Sequence, residues 1–445
     1  MLFPGSVIDL TIEKPAAGGR MIARHDGLVV LVHAAIPGER VRAVVERTGQ
    51  GVAYATTMDV VEASPDRRTG IGDWACGGNV YAHIAYARQL ELKAQVIADA
   101  LSRIGRVTLE RPVRVTASPE EGYRMRARFH VRGRTLGYFR EGTHGMCDPA
   151  ITKQLLPDTC RFVSELSDRV GDGGFDGVTE IELSENVPAS ERALHLELNR
   201  PSIPQGLDEL AKLPTVVGVS ASFGARGQGG QAPTRRTVTA GGTPCVLDVI
   251  DLPVPGSVAA GGDAGVGSVQ VRLQHHAQAF FQANRYLLAT LAGRVVSLVP
   301  AGPVVDLYAG VGLFAASLAA SGWTSVVAVE GDRAGAADLR ANALPFGPAL
   351  NPIEMAVEAY LATRPVPAGS TIVVDPPRTG MSKGASAAIA AQQAERVVYV
   401  SCDVATFARD ARKLIDAGYG LAHLEAFDLF PNTAHVEAVA VFARA

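Results

Sequence analysis

The sequence predicts a multidomain protein: a small N-terminal β-barrel, a central α+β region, and a C-terminal α/β half with helices on both faces of a mostly parallel sheet. Three observations predict it. The chain has 445 residues, more than one core usually serves, since domains run roughly 100–200 residues. Short segments of strand character fill residues 5–62, and from about residue 270 strand, glycine turn and helix succeed one another. That alternation is how a sheet packed between two helix layers is written.

The barrel segments are SVIDLTI, MIARHDGLVVLVHA, GERVRAVVER and GVAYATTMDVVEA, punctuated by Asp26-Gly27 and Pro37-Gly38. Small barrels bind oligonucleotides or serve as structure, and the pattern leaves both readings open. Residues 81–105 predict an amphipathic helix with Leu90, Ala94, Ile97, Leu101 and Ile104 on one face and Gly105 as its stop. In YRMRARFHVRGRTLGYFRE, Met125, Ala127, Phe129 and Val131 alternate with Arg124, Arg126, Arg128 and Arg132. A strand there has one apolar and one cationic face, and Arg134 and Arg140 extend the charge. A solvated face balanced by acids is one reading; clustering on a single face favours phosphate contact. Residues 222–269 are rich in Gly, Ser, Ala and Pro, which predicts loops or hairpin tips.

The net charge of −3 argues against a uniformly basic nucleic-acid coat but leaves local patches open. Five cysteines, at 76, 147, 160, 245 and 402, are odd in number and sparse, which predicts thiols in a reducing cytoplasm rather than a disulfide framework. The N-terminus lacks the pattern of a signal peptide. Residues 307–329 are uncharged and long enough to span a bilayer, but their glycines, serines and GVG turn assign them to a buried α/β core, with no membrane partner.

The chemistry-bearing motifs lie in the last third. In PVVDLYAGVGLFAASLA, Asp306 ends an apolar strand and Gly310 and Gly312 let the backbone turn tightly. The next strand ends in Glu330, about 20 residues beyond the turn, where a carboxylate accepts both hydroxyls of an adenosine ribose. NAD and S-adenosylmethionine both fit. STIVVDPPRTG ends a further strand in Asp375, followed by Pro376, Pro377 and Arg378; the prolines stiffen the loop at the edge where such sheets bind ligands. This loop is unusual in dehydrogenases, and variants of it occur in methyltransferases acting on planar bases. ERVVYVS ends at Cys402, and a helix follows with Phe407, Ala411, Leu414 and Ile415 inward and Gly418 as its stop. A thiol at a helix N-terminus is a stabilised thiolate; a small buried apolar cysteine is the alternative. Glu437 interrupts the apolar run HVEAVAVF, either as a satisfied structural residue or as a base with its pKa raised by burial.

In order, DLYAGVGLF, VEGD, VVDPPRTG, VSCDVATFARD and FPNTAHVE resemble the RNA 5-methyluridine methyltransferases. QAFFQANRYL, with Gln282 and Asn284, resembles the segment before their cofactor fold, SPDRRTGIGDWACGGNVYAHI and the arginine-rich strand resemble their central domain, and residues 1–66 resemble the RNA-binding TRAM domain. The resemblance implies a TRAM barrel over 1–66, a central RNA-binding α+β domain over 67–265 whose helix 87–116 packs on the catalytic domain, and a Rossmann-like methyltransferase domain over 266–445. It implies S-adenosylmethionine as cofactor and a monomer acting on RNA, with 23S ribosomal RNA ahead of transfer RNA. Cys402 would add to uracil C6 and Glu437 would take the C5 proton. Gln282, Tyr308, Gly310, Gly312, Glu330 and Asp375 would line the cofactor or base pocket, and Arg378 would stabilise enolate or phosphate. Arg124, Arg126, Arg128 and Arg132 would hold RNA.

Two departures stand out. Many TRAM-containing relatives bind a four-iron cluster through four cysteines, but Gly70 and Asn79 occupy two of those positions here. Cys76 remains, Cys160 matches the fourth, and Cys147 is left over, so no cluster is expected. Asp403-Val404 also replaces the Asn-Pro or Asp-Pro that follows the cysteine in relatives, which softens the helix start without removing the nucleophile. A dehydrogenase would leave Asp375, Cys402 and Glu437 idle, and a noncatalytic RNA-binding protein would leave Cys402 and Glu437 idle.

Overall fold

A computed structural model describes residues 2–444 apart from 70–72, 172–174, 201, 205, 225–235, 254–267 and 393. Strands β1 (Val7–Pro15), β2 (Met21–His25), β3 (Leu28–His33), β4 (Arg40–Gly49) and β5 (Val52–Glu62) close into a barrel in the order β1-β2-β3-β5-β4. Alternate residues point inward, so Ile8, Leu10, Ile12, Val41, Ala43, Val45, Ala53 and Ala55 form its core. The second sequence segment folds into two strands because Asp26 and Gly27 both take positive φ, 49° and 81°, the backbone of a two-residue hairpin turn.

Helix α1 (Tyr86–Ala100) runs on through one wider turn to Gly105, and Arg106 leaves in a left-handed conformation. The glycine stop therefore stands, and the expected helix over 87–116 is too long. Residues 115–116 are instead a short strand, β6 (Val115–Thr116), paired with the C-terminal sheet. The buried stripe also differs from the predicted one. Gln89, Leu92, Lys93, Val96, Ile97 and Leu101 are covered, whereas Ile104 is 45% exposed. Two polar residues turn the helix by about one position.

The central sheet runs β13-β12-β11-β10-β7-β8-β9, with β7 (Arg126–Arg132), β8 (Thr135–Phe139), β9 (Met146–Cys147), β10 (Val178–Glu185), β11 (Arg192–Leu198), β12 (Val216–Phe223) and β13 (Arg236–Gly242). Helix α2 (Pro157–Gly171) lies against it, and Ala127 and Phe129 of β7 enter the shared core with Leu166, Leu183 and Leu196. The expectation of five free thiols is corrected here. Cys76 and Cys147 are joined in a disulfide, and Cys160, Cys245 and Cys402 are free. The backbone brings the pair together: Gly77 N donates to Phe139 O at 3.1 Å and Glu141 N to Ala75 O at 2.7 Å, laying the 75–77 segment along the hairpin that carries Cys147.

Of the glycine-rich 222–269 stretch, the described parts are largely strand: β13, then β14 (Cys245–Pro253) and the start of β15 (Ser268–His276); the remainder of that prediction falls outside the described residues. β14 and β15 pair from Cys245↔His276 to Pro253↔Ser268, across the expected boundary at 265/266. The hairpin buries Ile250, Leu252, Val271 and Leu273 in the core of the C-terminal half.

The C-terminal half continues with α3 (Leu288–Leu298), β16 (Val304–Leu307), α4 (Leu313–Ala320), β17 (Val326–Glu330), α5 (Arg333–Ala343), β18 (Leu350–Glu354), α6 (Val357–Thr363), β19 (Thr371–Val374), α7 (Lys383–Ala391), β20 (Arg396–Ser401), α8 (Val404–Asp416), β21 (Tyr419–Phe427) and β22 (Glu437–Arg444). Its sheet order is β18-β17-β16-β19-β20-β22-β21-β6. β16 to β20 are parallel, and β22 inserts antiparallel beside β20. The strand order reverses at β16, which places a ligand crevice at the carboxyl ends of β16 and β19. Among the described residues, no helix is long and apolar enough to cross a membrane.

Candidate active site

The glycine turn after β16 is tightly built. Gly312 takes φ +95°, and a Cβ there would stand 2.7 Å from Leu339 Cδ1, so a side chain would meet both backbone strain and a clash. Tyr308 takes φ +60° just ahead of it. Glu330, at the end of β17, accepts from Gly310 N at 2.7 Å through Oε2 and from Asp332 N at 2.6 Å through Oε1. Two carboxylate oxygens offer about four lone-pair sites, so ribose hydroxyls can still be accepted. Asp306 is fully buried; Oδ2 accepts from Ala315 N at 3.1 Å, and Oδ1 makes no hydrogen bond among the described residues. Burial and then the Asp375 charge push its pKa well above the carboxylate range.

The segment before α3 crosses this turn. Phe280 O lies 3.7 Å from where a Gly310 Cβ would be, and two residues on, buried Gln282 donates Nε2 to Asp375 Oδ2 at 3.2 Å. The turn, the β17 carboxylate, the Gln282–Asp375 pair and the unbonded oxygen of Asp306 fit S-adenosylmethionine. Gly310 and Gly312 would admit its chain, Glu330 its ribose, and the carboxylates of buried Asp306 and partly buried Asp375 its positive charge. Tyr308 stands at the edge of this arrangement, where it lines, with Glu358, Pro377 and Arg409, a groove of about 930 Å³ along α7 and α8.

Strand register brings the residues that the sequence singles out for catalysis together. Ser401 of β20 opposes Ala438 of β22, so Cys402 and Glu437, one step further along each antiparallel strand, face each other. Val374 of β19 is level with Tyr399 of β20, which sets Asp375 and its proline loop at the same edge. Glu437 is 2% exposed, and its Oε1 makes no hydrogen bond among the described residues. Burial, then the Asp375 charge, holds its pKa well above the usual range, opposed by Arg378. Asp375 itself is raised to about 7 by burial, opposed by its bond from Gln282.

The half-buried Cys402 thiol is pushed up to about 12, first by burial and then by Glu437 and Asp375, against Arg378 and a backbone N–H. The expectation of a thiolate stabilised by the helix terminus is corrected. α8 begins at Val404, and its N-cap is Asp403, whose side chain accepts from Thr406 N at 2.8 Å. A carboxylate thus answers that terminus, and the thiol sits one residue outside the cap. The same bond means that the start of α8 stays capped without proline.

The arginines divide. Arg124 donates to Arg126 O at 2.7 Å and Gln154 Oε1 at 2.7 Å. Arg126 is turned inward and donates to the carbonyls of Ala277 and Ala279. These two do not form an open cationic face; they join the central sheet to the segment carrying Gln282. Arg128 pairs with Glu182 and, at 3.8 Å, Glu180. Arg132 and Arg378 are exposed; Arg132 lies over the Phe139 ring, 5.4 Å from its centroid. The residues at the family's cluster position do not fit a four-iron centre. The Cys76 sulfur is bound to Cys147, and Asn79 is buried with its amide nitrogen 3.4 Å from Asp73 O. Among the described residues, no group of three or more His, Cys, Asp or Glu could hold a metal ion; Gly70 lies outside the described residues.

Residue reading alone missed Gln89 and Lys93, the two polar side chains on the covered face of α1. Each enters the segment before Glu437: Lys93 Nζ bonds Asp428 Oδ1 at 2.5 Å, and Gln89 exchanges two bonds with Asn432. Nothing in the sequence signalled this, because polar positions on a helix ordinarily face water.

A family model described as tRNA (Uracil-5-)-methyltransferase matches residues 367–445, and one for the TRAM domain matches residues 2–57. The chain is 31% identical to a 23S rRNA (uracil(1939)-C(5))-methyltransferase of Alkalilimnicola ehrlichii, over 99% of this chain and 97% of the relative. It is 30% identical to an uncharacterized RNA methyltransferase of Streptomyces avermitilis, over 98% of both chains. The crystal structure of a Pyrococcus abyssi tRNA (uracil-54, C5)-methyltransferase in complex with S-adenosyl-L-homocysteine shares the fold, with a TM-score of 0.72 at 21% identity, covering 98% of this chain and 100% of that one. With Cys402 facing Glu437 beside a methyl-donor crevice, and with this likeness along nearly its whole length, the chain belongs to the S-adenosylmethionine-dependent RNA uracil-C5 methyltransferases that carry an N-terminal TRAM domain.

Proposed function

We propose that this chain makes 5-methyluridine in 23S ribosomal RNA, as a cytoplasmic monomer, through a transient bond from Cys402 to uracil C6. The observation that carries the reading is the juxtaposition across β20 and β22 of a partly accessible thiol and a buried carboxylate with an unbonded oxygen. When bound, S-adenosylmethionine supplies an electrophilic methyl carbon and a positive charge that favours ionised Cys402, Asp375 and Glu437. Cys402 gives up its proton to solvent and adds as thiolate to C6 of the flipped-out base, and the C5–C6 electron pair moves towards C5 and O4. Arg378, whose charge acts on both Cys402 and Glu437, offsets this developing negative charge. C5 would take up the methyl group as the sulfonium–methyl bond breaks, with S-adenosylhomocysteine as the leaving group. Glu437 then removes the C5 proton, and the released electron pair re-forms the double bond and expels the sulfur as thiolate. Gln282 keeps Asp375 oriented in the pocket throughout.

For RNA contact, exposed Arg132 and Arg378 are the strongest candidates, Arg128 shares its charge with two glutamates, and the TRAM barrel supplies a second surface. Similarity to 23S rRNA enzymes over nearly the full length favours that RNA over transfer RNA. The test is methyl transfer from labelled S-adenosylmethionine into unmodified 23S transcripts and unmodified transfer RNA, with wild type and Cys402→Ala. Label in 23S RNA that disappears with Cys402→Ala is the expected outcome. Undiminished transfer by Cys402→Ala would refute the covalent route, and label in transfer RNA alone would refute the substrate.

A further inference from the structure

We propose that Gln89 and Lys93 of α1 are positioning residues for Glu437: they hold the 428–436 segment that delivers this carboxylate opposite Cys402. The inference rests on the reading of Glu437 as the base that takes the C5 proton.

Residues 428–436 link β21 to β22 with no helix or strand of their own; bonds from Phe430 N to Asp428 Oδ1, from Thr433 N and Oγ1 to Phe430 O and from His435 N to Thr433 Oγ1 shape the segment locally, but they do not tie it to the rest of the molecule. Anchors from elsewhere do. Lys93 Nζ reaches Asp428 Oδ1 at 2.5 Å and Phe430 O at 3.1 Å. Gln89 Nε2 donates to Asn432 Oδ1 and Asn432 N donates back to Gln89 Oε1, both at 2.9 Å. Asn432 takes φ +63°, a left-handed backbone that asparagine tolerates better than most residues, and this two-way bond orients it. Tyr81 N donates to Asn432 O at 2.8 Å, and Tyr123 OH to Pro431 O at 3.2 Å. On the barrel side, a Cβ on Gly19 would stand 3.2 Å from Ala434 Cβ and 2.8 Å from Val80 Cγ1, so the β1–β2 turn closes over the segment. All three regions of the chain meet on these nine residues.

The polar choice is informative. Lys93 is 1% exposed and Asp428 and Gln89 are fully buried, and a buried ion pair is weak as a source of stability because desolvation offsets the attraction. Apolar side chains of similar volume would fill the space, but they would not fix direction. What the charge pair and the paired amides add is a single geometry for the segment, and displacement of a reacting group by about 1 Å can cost on the order of 100-fold in rate. Addition of Cys402 and uptake of the methyl group do not use Glu437. A loosened segment therefore slows only the last stage, and the methylated RNA stays bonded to Cys402.

The test uses the full chain, unmodified 23S transcript and methyl-labelled S-adenosylmethionine, and follows turnover together with labelled protein on denaturing gels. The variants are Gln89→Leu, Lys93→Met/Asp428→Asn, which removes both charges and leaves none unpaired, and Glu437→Gln as reference. Expected are at least a tenfold fall in kcat for both α1 variants, a KM for RNA that falls with it so that kcat/KM stays within about twofold of wild type, and methyl-labelled protein–RNA adduct accumulating as it does in Glu437→Gln. Adduct in Glu437→Gln with none in the α1 variants, or α1 variants that turn over like wild type, would overturn the positioning role alone. Absence of adduct from Glu437→Gln would overturn the base assignment and the positioning role with it. The Gln89→Leu variant creates no buried charge, so it keeps the question answerable if the double variant fails to fold.

Discussion

Asp375→Asn should make the protein more stable at pH 8 than the wild type, with a gain that nearly vanishes at pH 4. In the folded protein the Asp375 pKa is raised from an ordinary 3.8 to about 7, chiefly by burial. A carboxyl group raised in this way favours the fold only while it is protonated. Its contribution is fully present below the unfolded pKa and is lost as pH rises through the folded one. Between pH 5 and pH 8 about two pKa units of that loss develop, worth about 2–3 kcal/mol at 1.36 kcal/mol per unit. Asparagine does not titrate, and its carbonyl oxygen can still accept from Gln282 Nε2, which in the wild type lies 3.2 Å from Asp375 Oδ2. The gap in Tm between variant and wild type should widen by roughly 5–10 °C from pH 5 to pH 8 for a domain of this size. Scanning calorimetry of the cofactor-free protein at both pH values measures it. A Tm gap that is the same at pH 5 and pH 8 would refute the reasoning, because the substitution would then act through packing and not through the buried charge.

Other outcomes follow from the same geometry. The thiol of Cys402 and the carboxyl of Glu437 are both raised and both must be ionised to act, so kcat should climb with pH through and above neutrality. Asp375→Asn removes a negative neighbour of both, so any activity it retains should show that limb displaced to lower pH; an unmoved limb would contradict the charge coupling. Arg126→Met should cost about 2–4 kcal/mol of stability by stranding the carbonyls of Ala277 and Ala279. Arg132→Ala should leave Tm within a degree or two and reduce the salt dependence of RNA binding by about one charge; thermal melts and filter binding separate the two. Titration of thiols in denaturant should find three in protein never exposed to reductant and five after reduction, reflecting the Cys76–Cys147 bond; five in both would remove the disulfide.

Much of the site was legible because it lies at strand ends, where short-range pattern and chemistry coincide. The Gly310/Gly312 turn, Glu330, Asp375, Cys402 and Glu437 each interrupt an apolar strand at its end with a residue that packing does not require. Open α/β sheets gather such ends along one edge. The helix ending at Gly105 was legible for a similarly local reason. The thiolate at a helix N-terminus was a local argument that failed. Asp403 took the cap, and the field at Cys402 is governed by carboxylates on other strands, Asp375 and Glu437. The arginine strand shows the same limit: period-two alternation correctly separated an apolar from a polar face, but not a solvated face from one that carries Arg126 into the carbonyls of a segment 151 and 153 residues away.

By itself, the amino-acid sequence determined the barrel ahead of the doubly covered sheet, the strand–turn–helix order of the C-terminal half, and which side chains are chemically capable of the reaction. Those are properties of neighbouring residues, set by backbone preference and hydrophobic period. Only the tertiary structure decided that Cys76 joins Cys147, that burial and the carboxylates of Glu437 and Asp375 raise the Cys402 thiol pKa, and that Lys93 and Gln89 reach across more than three hundred residues to the segment before Glu437. Burial and electric field at an atom sum over everything packed around it, and most of that is distant in the chain.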